Sequence, residues 1–181
     1  MAVETYEGVH ATCADHVESI LREGFRLSPE ERYVGAAVYF YLNNERGRYL
    51  ASLHLQEKLK KTIEKGGCPD GDSGTFLFAQ IEADEKKILD LTEKDKIEGL
   101  KQIENVFWQE YDQYTTMPRA EKYKKLNRRR QDFLMDVCQA KPYDLVKVAM
   151  PIGKEYGPGL AVFNVDCIIS ITNNGDATWQ I

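Results

Sequence analysis

Residues 35–42, Gly-Ala-Ala-Val-Tyr-Phe-Tyr-Leu, form a short apolar and aromatic run closed by Asn43 and Asn44. A run of this length between turn signals, with Ser28-Pro29-Glu30 upstream, predicts a strand buried on both faces. Before it, Thr12 and Asp15 give a T-x-x-D capping pattern ahead of Val17, Ile20 and Leu21 at helical spacing. This predicts a helix over 13–23, stopped at Gly24 with Phe25 as its apolar contact and entered from a strand over 5–10. His10 then stands where a strand hands over to a helix N-terminus, a place with unpaired backbone N–H groups.

After the aromatic run, Tyr49, Leu50, Leu53, Leu55, Leu59 and Ile63 predict an amphipathic helix over 46–64, ended by Lys65-Gly66-Gly67 and followed by a Gly/Asp/Pro loop over 66–74. Residues 75–83 and 87–91 read as strands. Ile97, Leu100, Ile103 and Phe107, then Leu126, Phe133, Leu134 and Val137, predict a charged, helical tract over 95–140. Strands over 143–150 and 160–171 close the chain, joined by a mobile loop over 151–158. The order of elements predicts a single α+β domain over 1–181.

With 43% hydrophobic and 29% charged residues, the 181-residue chain has the composition of a globular domain and excludes a disordered tail. No apolar run approaches the length of a membrane helix, and residues 1–16 have neither a basic nor an apolar leader region, which predicts a cytoplasmic protein. Lys and Arg number 24 against 29 Asp and Glu, and the net charge of -5 argues against a generic nucleic-acid coat. Cys13, Cys68, Cys138 and Cys167 lie far apart without CxxC spacing, so buried thiols are expected and no metal site. Neither GxGxxG nor GxxxxGK[ST] occurs, so a nucleotide would have to be held in another way.

His10, Thr12, Gly35, Tyr39, Phe40, Tyr41 and Tyr49 together suggest a site that stacks a flat ring and hydrogen-bonds a hydroxylated group. From the residues alone they read more readily as core aromatics around a satisfied strand-end histidine. His10 with Cys13 could form a nucleophile pair, although no third orienting group is visible. His16 and His54 receive no role.

The pattern Val9-His10-Ala11-Thr12, the helix ending Ile20-Leu21-Arg22-Glu23-Gly24-Phe25, then Gly35-x-x-Val38-Tyr39-Phe40 and a helix with Tyr49-Leu50-Ala51, resembles the ADP-ribosyltransferase superfamily of the diphtheria-toxin and poly(ADP-ribose) polymerase type. Its motifs read H-G-[ST] and G-x-G-[IV]-Y-F, with Ala11 and Ala37 here replacing a glycine of each. Residues 159–168, Gly-Leu-Ala-Val-Phe-Asn-Val-Asp-Cys-Ile, resemble the closing strand, with Gly159 where that strand has its catalytic glutamate.

The resemblance implies a split β-sandwich that binds NAD as co-substrate in an open cleft. It places His10 on the ribose, the Ala11 backbone on the carboxamide, and Tyr39 and Tyr49 against the nicotinamide ring. Gly35 belongs to the same binding motif, and Thr12 would support the loop as its cap. The implied chemistry displaces nicotinamide at an oxocarbenium-like centre, which a carboxylate stabilises. Glu155 is the candidate substitute acid, beside Glu110 and Asp112. The implied function is NAD-dependent ADP-ribosylation of a macromolecular acceptor, RNA or DNA included, in the manner of a bacterial toxin or phage-related effector. The alternatives are an inactive module binding NAD or ADP-ribose and an RNA 2'-phosphotransferase-like enzyme.

Residues 119–130 carry seven basic residues and one acidic one. On a helix, Arg119, Lys122, Lys125 and Arg129 share a face suited to phosphate, and Lys124, Lys125, Arg128 and Arg129 are the candidate acceptor contacts. The same run also reads as a solvated helix face.

Overall fold

Strand β1 (Val3–Cys13) and strand β3 (Gly74–Asp84) run antiparallel over eleven residues, from Val3 opposite Asp84 to Cys13 opposite Gly74. In β3, Phe76 and Phe78 pack on one face while Leu77, Ala79, Ile81 and Ala83 pack on the other. Near-continuous hydrophobicity of this kind marks a strand covered on both sides. The computed structural model describes residues 2–28, 34–64, 74–92, 97–111, 116–152 and 155–173. The expected turn at Pro29 and most of the loop over 66–74, with Cys68, lie outside these residues, as does Asp112.

The remaining elements are α1 (Val17–Glu23), β2 (Val38–Leu42), α2 (Glu45–Glu64), β4 (Ile88–Leu91), α3 (Glu98–Tyr111), α4 (Arg119–Gln139), β5 (Leu145–Ile152), β6 (Glu155–Val162) and β7 (Ile168–Thr172). All seven strands join one hydrogen-bonded sheet in the order β4-β5-β6-β2-β1-β3-β7. Among the described residues only β4 and β5 pair in parallel. The chain is thus an α+β fold with a mixed sheet.

The sheet is not flat. Lys147 of β5 stands three strands from β1, which in a flat sheet is about 14 Å. Yet its Nζ lies 3.4 Å from the Glu4 carboxylate and 5.2 Å from the centre of the Tyr6 ring. The sheet therefore curls, and its two halves enclose Phe40, Leu77, Ile81, Leu145, Leu160 and Val162. On the opposite face, α2 lays Leu50, Ala51 and Leu55 against the strands, and α3 and α4 join the same cluster through Leu100, Leu134 and Cys138. A Cβ on Gly157 would come within 1.8 Å of Leu50 Cδ1, so glycine there lets α2 approach β6. Asn44, one of the two asparagines ending β2, caps α2 by accepting from the Gly47 N–H at 2.8 Å.

Three expectations from sequence are corrected. Thr12 is not a helix cap: it is buried within β1, opposite Thr75, and the short 3-10 turn Ala14–His16 follows Cys13 without a side-chain cap. Ladder bonds to β3 hold the backbone extended at the point where the capping pattern expected a helix to begin. The stretch 160–171 is not one strand. Phe163 and Asn164 donate their N–H groups to the Asp144 carbonyl, and Asn164 accepts from the Asp166 N–H. The chain turns there, and β7 pairs with β3 at the far edge of the sheet. The loop expected over 151–158 is largely a ladder, with β5 and β6 paired up to Ile152 opposite Glu155.

Phe40 has no exposed surface inside the curl. Phe40→Ala should lower the unfolding free energy by about 3–5 kcal/mol, whereas Ile169→Ala, at a half-exposed site, should change it by less than about 0.5 kcal/mol. Chemical denaturation measures both, and a near-neutral Phe40→Ala would contradict the enclosed core.

Candidate functional site

β1 and β2 pair at two positions only, Gly8 with Leu42 and Val9 with Tyr41. Beyond Val9 the strands part, while β1 stays bound to β3. A cleft of about 850 Å³ opens at this split, within the range of about 300–1,000 Å³ usual for small-molecule sites. Its floor holds His10, Ala11, Thr12, Val38, Tyr39 and Tyr41; α1 with residues 24–28 forms one wall, and His54, Glu57, Lys58 and Lys61 of α2 form the other.

His10 is the first β1 residue past the last pair with β2, and its side chain takes over where the ladder stops. Its Nδ1 lies 2.9 Å from the Tyr39 carbonyl. A carbonyl oxygen only accepts, so Nδ1 carries the proton and Nε2 keeps its lone pair. Among the described residues Nε2 has no protein partner. The residue keeps some exposed surface, but Phe25 and Phe40 enclose its ring edge-on at 5.0 and 5.8 Å. That enclosure pushes the imidazole pKa down from 6.5 to about 4, against the backbone hydrogen bond, with the charges of Lys58 and His54 adding to the fall. His10 is therefore a neutral hydrogen-bond acceptor at neutral pH.

Tyr39 lines the cleft, packs half-buried against the cluster beneath α2 and donates its hydroxyl to the Gly35 carbonyl at 2.6 Å. Gly35 has a φ of 132°, open essentially to glycine, and a Cβ there would meet the Phe163 ring at 3.2 Å. Gly35 thus supports Tyr39 from behind without lining the cleft. Tyr41 is buried, and its hydroxyl lies 3.2 Å from His54 Nδ1. Among the described residues two acids line the cleft: Glu23, paired with Arg22 and Arg26, and Glu57, 3.9 Å from Lys61.

The cleft brings together His10, Ala11, Thr12 and Tyr39. Tyr49 lies elsewhere, half-exposed on α2 with the Arg46 guanidinium over its ring. The register of α2 explains this, since Leu50, His54 and Lys61 share the inward side and Tyr49 does not. Glu155 is described by its backbone alone. Its backbone opens β6 at the hairpin, five residues beyond the Leu160 pair with Phe40, and its side chain lies outside the described part. Glu110 pairs with Arg129 at 3.0 Å, away from the cleft. Cys13 is buried three residues along an extended strand from His10, on the other face, which removes the nucleophile pair.

Gly159 sits in β6 opposite Tyr41, where a Cβ would meet Met150 Cε at 2.3 Å and the Phe40 carbonyl oxygen at 2.8 Å. Met150 itself lines the cleft. The room that a glutamate side chain would need there is filled by a thioether.

The basic face of α4 is in part a helix–helix contact. Lys122 donates to the Tyr111 carbonyl, Lys125 lies over the Tyr111 ring, and Arg129 stacks on Phe107 while pairing with Glu110. Arg130 pairs with Glu104 at 2.6 Å. Lys124 and Arg128 are exposed on another side of the helix. No residue of α3 or α4 lines the cleft. Sequence reasoning missed His54, Lys58, Lys61 and Met150. The i, i+4, i+7 spacing of His54, Lys58 and Lys61 was the available signal for one polar helix face.

Among the described residues, no three His, Cys, Asp or Glu side chains gather as a metal site, and no helix is long and apolar enough to cross a membrane. Cys13, Cys138 and Cys167 are buried free thiols, and burial pushes Cys138 up to about 11. Compared with known proteins, the sequence matches no family profile, no curated protein and no solved structure.

Gly159→Glu should be a packing lesion and not a gain of activity. It should lower the unfolding free energy by about 1–3 kcal/mol, and Met150→Ala in the same chain should recover part of the loss, since the Phe40 carbonyl remains in the way. Thermal unfolding of the parent and the two variants checks this; a Gly159→Glu protein as stable as the parent would contradict the geometry.

Proposed function

We propose that the cleft binds NAD and that the protein is an ADP-ribosyltransferase acting on a macromolecular acceptor. The observation that carries this reading is the split between β1 and β2, which gathers His10, Ala11, Thr12 and Tyr39 around one opening with His10 held neutral. The curled sheet, open at that split, supports the split β-sandwich of the ADP-ribosyltransferase superfamily.

The residues fit the co-substrate. His10 Nε2 would accept a hydrogen bond from a ribose hydroxyl, and the β1 backbone at Ala11 would hold the carboxamide. The Tyr39 ring offers a stacking face, with its hydroxyl already satisfied by Gly35. Arg26, Lys58 and Lys61 line the cleft and would balance the pyrophosphate charge. When bound, NAD supplies an ADP-ribosyl group whose nicotinamide is a neutral leaving group. Glu57, which α2 places one turn after His54 on the cleft wall, joins Glu155 as a candidate acid. If α4 contacts an RNA or DNA acceptor, Lys124 and Arg128 are its exposed cations.

A second reading is a module that binds NAD or ADP-ribose without turnover, and the filling of the Gly159 site by Met150 favours it. The distance of α4 from the cleft gives no support to an RNA 2'-phosphotransferase.

Calorimetric titration with NAD, followed by labelled NAD with separate protein, RNA and DNA pools, tests the proposal. Expected are binding by the parent chain, label on one pool, and affinity weakened about tenfold or more by His10→Ala through loss of one hydrogen bond. Absence of binding by both NAD and ADP-ribose would overturn it.

A further inference from the structure

We propose that α4 binds single-stranded nucleic acid on the face that carries Arg119, Tyr123, Asn127, Lys124 and Arg128. The proposal stands apart from the transferase reading, since no residue of α4 lines the cleft. Residues 119–130 hold seven of the chain's 24 basic residues and one of its 29 acidic ones. In a chain that is acidic elsewhere, this helix is the place where a polyanion meets its complement.

The contacts of α4 divide that charge in two. Toward α3, Arg129 pairs with Glu110, Arg130 pairs with Glu104, and Lys122 and Lys125 engage Tyr111. On a different side, Arg119, Tyr123 and Asn127 follow one another at i, i+4, with Ala120, Lys124 and Arg128 as the row beside them. These two rows contain no carboxylate. All six residues are exposed, and among the described residues neither Lys124 nor Arg128 has an ion-pair partner. Their charges are left to solvent ions, which a phosphate chain displaces on binding.

Cations alone would suit any anion, and the ring narrows the choice. Tyr123 is 42% exposed. Trp108 meets it edge-on at 5.6 Å, and the Arg119 guanidinium lies 5.5 Å from the centre of its ring while donating to its hydroxyl at 3.4 Å. The ring is thus held in place before a ligand arrives, and ring and guanidinium each offer a flat face to an unstacked base. Lys124 and Arg128 would take the phosphates of neighbouring nucleotides. A duplex keeps its bases stacked on one another, and an anionic lipid surface needs an apolar helix face, which these rows lack.

Fluorescence anisotropy tests this with labelled single strands of about twelve nucleotides, RNA and DNA, and with a duplex of the same length. The proteins compared are the parent chain, Lys124→Gln/Arg128→Gln, Tyr123→Ala and Tyr123→Phe. The parent should bind a single strand about tenfold or more tighter than the duplex; binding of RNA, DNA or both supports the proposal and names the sugar. Between about 50 and 200 mM salt, the double variant should bind more weakly and reduce the slope of log affinity against log salt by about 1.4, two phosphates at about 0.7 each. Tyr123→Ala should weaken binding about tenfold with the slope unchanged, and Tyr123→Phe should keep most of the affinity. The substituted positions are exposed, so the thermal midpoints should match the parent's. A parent chain that binds neither single strand, or that binds the duplex, poly-glutamate or phosphatidylserine vesicles as tightly, would overturn the proposal, as would full affinity in the double variant.

Discussion

One hydrogen bond, from His10 Nδ1 to the Tyr39 carbonyl, holds the two sides of the split together. Where β1 and β2 stop pairing, backbone groups lose their ladder partners, and a buried carbonyl left unpaired costs about 1–3 kcal/mol. A side chain closes that gap while the strands stay apart. The bond also fixes the histidine tautomer, so the support of the cleft and the polarity of its floor have a single cause. Phe25 and Phe40 pack around the ring and around each other, which ties the site to the enclosed core of the curled sheet.

The two faces of the sheet divide the labour. The inner face is aliphatic and aromatic and resists change, since Phe40, Leu77 and Leu160 have no exposed surface. The outer face carries α2, α3 and α4, and α2 lends residues both to the core, through Leu50 and Leu55, and to the cleft, through His54, Lys58 and Lys61, while α1 packs Val17 and Ile20 on the inner cluster. Helices α3 and α4 stand apart from the cleft. Their aromatic and charged contacts, Arg129 on Phe107 and Lys125 on Tyr111 among them, join the two helices to each other.

Much of this was legible in the sequence. The largely apolar runs of residues 75–83 and 38–42 read as strands because both faces are buried, and the 3.6-residue period marked α2, α3 and α4. What failed depended on distant partners. Thr12 has a good capping sequence, but β3 lies alongside and keeps the backbone extended. The break after Val162 depends on the Asp144 carbonyl, which local propensity does not register. The basic count in α4 could not reveal that Glu104, Glu110 and Tyr111 face it from α3. At the site, His10 and Tyr39 stood out by position, whereas His54 enters the cleft through the register of α2 and Met150 through the pairing of β5 with β6.

The most direct test of this account is the protonation of His10, read by ¹⁵N NMR of the ring nitrogens across a pH series. The geometry predicts a proton on Nδ1, a bare Nε2 at neutral pH, and titration only near pH 4. An Nε2–H tautomer, or titration near the ordinary 6.5, would mean that the bond to Tyr39 does not hold the split and that the cleft is not organised around this residue.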